Sequence, residues 1–284
     1  MTRRILREFI GAFVGQVLDR IGLVNKTIKN IPPGDILPLA FHNPRKRLFS
    51  NLIEWLIIND FTFISTDRLS DIIEKKSLPT EKAVWITLDD GWRENLDNVI
   101  PSIIKYSIPV TFFIPTEPIE NDDGILWESL KNRTDKQIAR QAMTLSEVKD
   151  ISKLFQVTIG CHTKNHVDTT KCSDSELERE ISESRSKLSE WVGREVKYFA
   201  YPYGAFNERG KTILQRYGFT LAATTQHSII KTQSVQKLDP FQIPRYIFSD
   251  TMYFSEAKCH AIWLWQSRVK TLKTKIKEHT RIPW

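Results

Sequence analysis

Eight short apolar runs with helical stretches between them constrain this chain more than any other feature. They fall at 36–41, 61–64, 83–87, 110–114, 155–160, 197–201, 219–223 and 243–247, and β-branched and aromatic residues dominate most of them. Leu48, Leu52, Trp55 and Leu56 share one side of a predicted helix after the first run. Leu69, Ile72 and Ile73 do the same after the second, behind Asp67 as the expected cap. Thr144 with Glu147, and Ser173 with Glu176, are capping-box patterns that open two later helices. Strands alternating with helices through short connections predict a parallel α/β architecture. Seven to eight such strands are enough to close a distorted β/α barrel. With 284 residues, 40% hydrophobic and 26% charged, the chain can fill one such domain. We expect that barrel over 31–252, after an amphipathic helix in 1–30 and before a basic helix or tail in 253–284. One longer excursion, 115–141, interrupts the rhythm and carries Trp127 and Glu128, the kind of loop that often faces a substrate.

The terminal segments carry a separate signal. Ile5, Leu6, Phe9, Ile10, Phe13, Val14, Val17, Leu18 and Ile21 recur at helical spacing among Arg7, Glu8, Gln16, Asp19 and Arg20. Such a helix packs on the domain or on a second subunit of an oligomer, or lies in a membrane surface. Gly11 and Gly15 weaken it in isolation. Near the other end, Ile262, Trp263, Leu264 and Trp265 precede Arg268, Lys270, Lys273, Lys275 and Lys277, a solvated face or a meeting point with anionic lipid. The net charge of +7 would also suit nucleic acid, but no basic stripe is interleaved with aromatics, so nucleic acid is not the expected partner. Cys161, Cys172 and Cys259 are odd in number and show no paired spacing, which argues against a disulfide framework and for a reducing compartment. Arg3, Arg4 and Arg7 are followed by no unbroken apolar core of an export signal. The expectation is a cytoplasmic protein, peripheral on the inner face of a membrane.

Three polar motifs sit at the ends of apolar runs. Thr87-Leu88-Asp89-Asp90-Gly91-Trp92 places two carboxylates at the mouth of a buried strand, where α/β folds carry their chemistry. A strand end can aim the two differently, one to a metal and one to a proton; alone, Asp-Asp-Gly is equally a turn. His162 and His166, four positions apart just after the fifth run, can converge on a cation. With one aspartate they make a two-nitrogen, one-carboxylate set with positions left open, as a catalytic divalent site requires. Zinc is the expected ion, and cobalt, nickel and iron suit the same donors. In Phe199-Ala200-Tyr201-Pro202-Tyr203-Gly204, Pro202 and Gly204 fix a tight turn, so that a backbone N–H near Tyr203 can face the site as an oxyanion donor.

The three motifs, in this order, resemble those of the polysaccharide deacetylases, the NodB-homology or family 4 carbohydrate esterases. Asp89-Asp90-Gly91 matches the first family motif, with Leu88 in place of phenylalanine; His162-Thr163-Lys164-Asn165-His166 matches the second; 199–204 matches the third. The resemblance covers roughly 36–250 and implies a metal-dependent de-N-acetylase on a distorted barrel. It makes Asp89 the general base, Asp90, His162 and His166 the metal ligands, and the Tyr203 N–H the oxyanion donor, with Thr163 shaping the histidine loop. Two departures stand out. The motif arginine that holds the catalytic aspartate in relatives is Ala200 here, and Arg245 is the candidate replacement. The late histidine that serves as general acid is also missing; His42, after Leu39-Ala40-Phe41, has the same character, and we assign it as the acid on the pattern of the branch where this element comes first.

The expected function is metal-dependent removal of an acetyl, or alternatively a formyl, group from an amino sugar of a glycan or glycolipid precursor, the sugar carried on a lipid or a nucleotide. Trp92, Tyr201, Pro202, Thr163 and Arg245 are the expected substrate-side residues, the aromatics as surfaces for sugar stacking. The alternatives are an inactive carbohydrate-binding protein on the same scaffold, motivated by the two departures, and a membrane-surface scaffold in which the barrel is incidental.

Overall fold

A computed structural model describes residues 3–74, 79–121, 124 and 141–265. Trp127, Glu128 and the basic tail beyond 265 lie outside the described residues. Eight strands form one sheet: β1 (Ile36–Phe41), β2 (Thr62–Ile64), β3 (Ala83–Asp89), β4 (Val110–Ile114), β5 (Val157–Cys161), β6 (Tyr198–Ala200), β7 (Leu221–Ala223) and β8 (Tyr246–Ile247). Seven of them follow the order β7-β6-β5-β4-β3-β1-β8, β2 pairs with β3 off this path, and every named pairing is parallel. The sheet curls into a barrel because Ile243, just ahead of β8, bridges back to Ala223 of β7. The distortion lies at β3, which borders β1 on one side and is shared on the other by β2 at Ala83–Trp85 and β4 at Thr87–Asp89.

Parallel strands with buried faces read as continuous apolar runs, as these do. The period of two still decides which way each side chain points. Val84, Ile86 and Leu88 pack outward under the helices, whereas Trp85 belongs to the cluster inside the barrel, with Ile36, Phe113 and Ala200. Thr87 and Asp89 continue the alternation of Trp85, so the strand delivers Asp89 to the barrel interior. The parallel register brings the polar ends level. Phe41 pairs with Leu88, Asp89 with Phe113, and Phe113 with Gly160. His42, Asp89–Asp90 and the His162 loop therefore leave neighbouring strands at the same end.

The helices form where predicted, with one different cap. Ser65, not Asp67, accepts the first-turn N–H, from Arg68, while the Asp67 carboxylate accepts from Tyr198 Oη at 2.5 Å. The Thr144–Glu147 capping box is complete. The first helix, Arg3–Arg20, lies against the Phe254–Ala261 helix. Gly15 permits this approach, because a Cβ there would sit 2.5 Å from the Ser255 backbone. The two glycines cost helix propensity but allow close helix contact. None of the described helices is long and apolar enough to cross a membrane.

Candidate active site

Four residues at the open end of the barrel adopt left-handed backbone conformations without being glycine: Asp90 (φ 74°), Thr163 (φ 62°), His166 (φ 56°) and Tyr203 (φ 60°). Each costs about 1–3 kcal/mol and persists only where surrounding contacts enforce it. The reversal at Asp90 turns its carboxylate away from that of Asp89, separating the two by direction.

Asp89 is buried and held by Arg245. Arg245 Nη1 donates to Asp89 Oδ1 at 2.7 Å and Nη2 to Oδ2 at 2.9 Å, a bidentate pair. The guanidinium also donates to Thr87 Oγ1 (2.9 Å) and to the Thr224 carbonyl (3.1 Å), and is fully buried. Burial pushes the Asp89 carboxyl upward, but the Arg245 charge and then that of His162 hold it below the usual carboxylate range. Arg245, arriving just ahead of β8, thus holds Asp89 in a chain whose third motif has Ala200 and no arginine. It offers nothing to a substrate, contrary to its place among the substrate-side residues.

Asp90 faces both histidines. Its Oδ1 lies 3.5 Å from His162 Nε2 and 3.4 Å from His166 Nε2, and the three ligand atoms are all within 4.8 Å of one another. Asp90 Oδ2 accepts the Trp92 indole N–H at 3.3 Å. That bond orients the carboxylate, a role for Trp92 that the sequence reading missed. His42 Nε2 stands 3.9 Å from Asp90 Oδ2, and its half-buried side chain borders the opening.

These groups fit a divalent cation. His162 Nδ1 is 2.7 Å from the Ala200 carbonyl, which can only accept, so Nδ1 carries a proton and Nε2 is the ring nitrogen that faces Asp90. Burial, with the neighbouring His162, pushes His166 down to about 4, so that ring is neutral at pH 7. Burial raises Asp90, but the facing His162 holds it at about 2, so the carboxylate is charged. Asp90 Oδ1 is buried and makes no hydrogen bond. Two ring nitrogens converging on a buried carboxylate oxygen that makes no hydrogen bond are the kind of donor set a divalent cation takes. Donor atoms each about 2.1 Å from a tetrahedral ion stand roughly 3.4 Å apart, close to the two distances from Asp90 Oδ1 to the imidazole nitrogens.

The histidine loop is held from outside by one helix, Asp174–Val192. Glu180 Oε2 accepts the backbone N–H groups of Lys164 (3.0 Å) and Asn165 (2.8 Å), and Oε1 accepts from the Asn165 side chain (2.6 Å). One turn on, Ser184 donates to the Thr163 carbonyl at 2.9 Å, and Thr163 Oγ1 accepts Val167 N–H at 3.2 Å. The sequence carried a signal for this: Glu180 and Ser184 lie on the buried stripe of Leu177, Ile181 and Leu188, where polar residues need a reason. Glu180→Ala releases the two backbone donors and relaxes the loop. We expect it to weaken divalent-cation affinity by about 10–100-fold, the usual cost of losing a group that orients ligands. Titration calorimetry with Zn2+ checks this, and unchanged affinity would contradict it.

The third motif forms a single tight turn, Pro202–Gly204. Gly204 (φ 68°) is required, since a Cβ would sit 2.0 Å from Thr225 Oγ1. The turn's own hydrogen bonds, Gly204 N–H to Tyr201 (2.8 Å) and Ala205 N–H to Pro202 (3.1 Å), do not engage the Tyr203 N–H. The exposed Tyr203 ring stands edge-on to His166, centroids 4.7 Å apart. Three expected substrate-side residues are corrected. Tyr201 is buried, its ring packed beside Phe199 (5.3 Å) and Phe206 (5.5 Å), and Thr163 and Pro202 are buried too. None of them presents a surface to a sugar.

A family profile described as polysaccharide deacetylase matches residues 76–222. The poly-beta-1,6-N-acetyl-D-glucosamine N-deacetylase of Staphylococcus aureus (strain MSSA476) is 24% identical over 210 residues, which cover 72% of this chain and 67% of that protein. Among solved structures, the Streptococcus pyogenes deacetylase PplD in complex with acetate has a TM-score of 0.66 at 20% identity, over 79% of this chain and 97% of that one. IcaB from Ammonifex degensii has a TM-score of 0.65 at 18% identity, over 82% and 99%. These likenesses extend to the fold.

Proposed function

This chain belongs to the polysaccharide deacetylase family, and from that membership we propose that it hydrolyses the N-acetyl group of an amino sugar in a glycan, using a divalent metal. The observation that carries the proposal is the pairing of a ligand cluster, Asp90, His162 and His166, with an adjacent carboxylate, Asp89, that Arg245 keeps ionised and out of that cluster.

Asp90, His162 and His166 would hold the metal, most simply Zn2+, with Co2+, Ni2+ and Fe2+ as alternatives for the same donors. When bound, such an ion polarises a carbonyl and acidifies water. The protein's own groups do the rest. Asp89 takes the proton of the attacking water; both of its oxygens receive Arg245, yet a carboxylate has further lone pairs to accept with. The Tyr203 N–H is the donor for the oxygen that becomes negative. His42, at the opening on the other side of Asp90, gives a proton to the departing amine. The half-buried Trp92 and the exposed Tyr203 ring are the aromatic surfaces available to a sugar. A formyl group would fit the same chemistry.

The reading as an inactive binding scaffold rested on Ala200 and the missing late histidine. Arg245 at Asp89 and His42 at the opening weaken both grounds. The decisive experiment measures acetate release from N-acetylamino-sugar oligomers and lipid-linked N-acetylamino sugars by metal-loaded protein, beside Asp89→Asn and His42→Gln. Wild type should release acetate, and each variant should lose about 10²–10⁴-fold. No release from any substrate by protein with one bound metal would overturn the proposal.

A further inference from the structure

The outer face of the first helix has no role in the deacetylase site. Leu6, Phe9, Ile10, Phe13, Val17 and Ile21 are exposed along it, Phe13 and Ile21 by 66% each. At 1.5 Å per residue, the stripe from Leu6 to Ile21 runs roughly 22 Å. Scattered apolar residues need no explanation, but a continuous stripe of this size marks an interaction surface.

The charges on the helix are sorted by side. Its acids face the barrel: Glu8 accepts from Thr251 Oγ1 at 2.5 Å, and Asp19 pairs with Lys258. Its exposed charges are cations, Arg7 and Arg20, and the next helix, Leu23–Lys29, adds exposed Lys26 and Lys29. A cover for the stripe must therefore be apolar at its centre and negative around it. A second copy of this face would bring like charges together. The chain's own end, with Arg268, Lys270, Lys273, Lys275, Lys277 and Arg281 against Glu278, would do the same. The surface of a bilayer containing anionic lipid satisfies both demands.

We propose that the first helix seats the protein on an anionic membrane surface, its apolar stripe in the interfacial layer and its arginines on lipid headgroups. The seat is joined to the site. Glu8 and Phe9 meet Thr251 and Tyr253, and Asp250 in the same segment accepts the backbone N–H of Asn43, next to His42, at 2.9 Å. The helix start therefore lies by the rim of the opening, which comes to rest near the headgroups and faces glycans held close to the membrane.

Co-sedimentation of the full chain with phosphatidylcholine vesicles, with and without phosphatidylglycerol, tests this. Binding should appear with the anionic lipid and weaken as salt rises. Arg7→Gln and Arg20→Gln should each reduce it by about fivefold, the equivalent of about 1 kcal/mol per basic residue. Phe9→Ser with Phe13→Ser should remove at least tenfold; both sites are exposed, and an unchanged circular dichroism spectrum would show that the fold is kept. Absence of binding to anionic vesicles would overturn the proposal, as would self-association of the wild type that Phe13→Ser abolishes while vesicle binding stays absent. Sedimentation needs no turnover, so its failure would leave the deacetylase reading standing.

Discussion

Arg245→Ala is expected to destabilise the protein by about 3–5 kcal/mol, the cost of leaving one charge of a buried pair without its partner. Asp89 is buried inside the barrel, and both of its oxygens depend on the guanidinium. In the wild type its depressed pKa means that the carboxylate contributes stability in full above the unfolded value, about 3.9, and loses it as pH falls through the lower folded value. Without Arg245, burial dominates and the carboxyl titrates higher. The acid limb of the pH–activity profile should therefore move to higher pH, beyond the loss of stability. Urea unfolding and a pH–rate profile on the folded fraction measure the two effects separately. A loss below about 1 kcal/mol, the scale of a surface ion pair, would show that the pair does not hold the barrel interior.

The second large effect concerns metal. Asp90→Asn keeps the shape of the side chain and the bond from Trp92 but replaces an anionic ligand by a neutral amide. We expect divalent-cation affinity to fall by more than the roughly 100-fold that the loss of an orienting group can cost. Thermal unfolding reads this without any substrate. At a free metal concentration of about 100 times Kd, the wild type gains about 2.7 kcal/mol by linkage, and the variant at the same concentration gains almost nothing. Equal stabilisation of the two would remove Asp90 from the ligand set.

These variants bear on residues of unequal visibility in the sequence. Asp89, Asp90, His162 and His166 stand in short motifs at strand ends, and the parallel order of the strands makes such ends converge. Arg245 could be named only as a candidate, because the sequence gives no measure of the distance between the start of β8 and the end of β3. Tyr201 illustrates the opposite error. An aromatic inside a loop motif looks like a sugar platform, but its ring packs with Phe199 and Phe206, and its neighbour Tyr203 carries the exposed ring. The Ala200 carbonyl under His162 has no local signature, since it is a partner brought by another strand.

The sequence by itself determined the strand and helix rhythm, the α/β barrel class and the ends at which polar residues would gather, because periodicity and capping are local properties of the chain. Tertiary structure alone decided which arginine neutralises Asp89, which histidine nitrogen faces Asp90, and which aromatics remain open to solvent. Those outcomes depend on register and closure. Residues more than a hundred positions apart meet only when β8 completes the circle, and burial, which sets both charge and exposure, is a property of the packed whole.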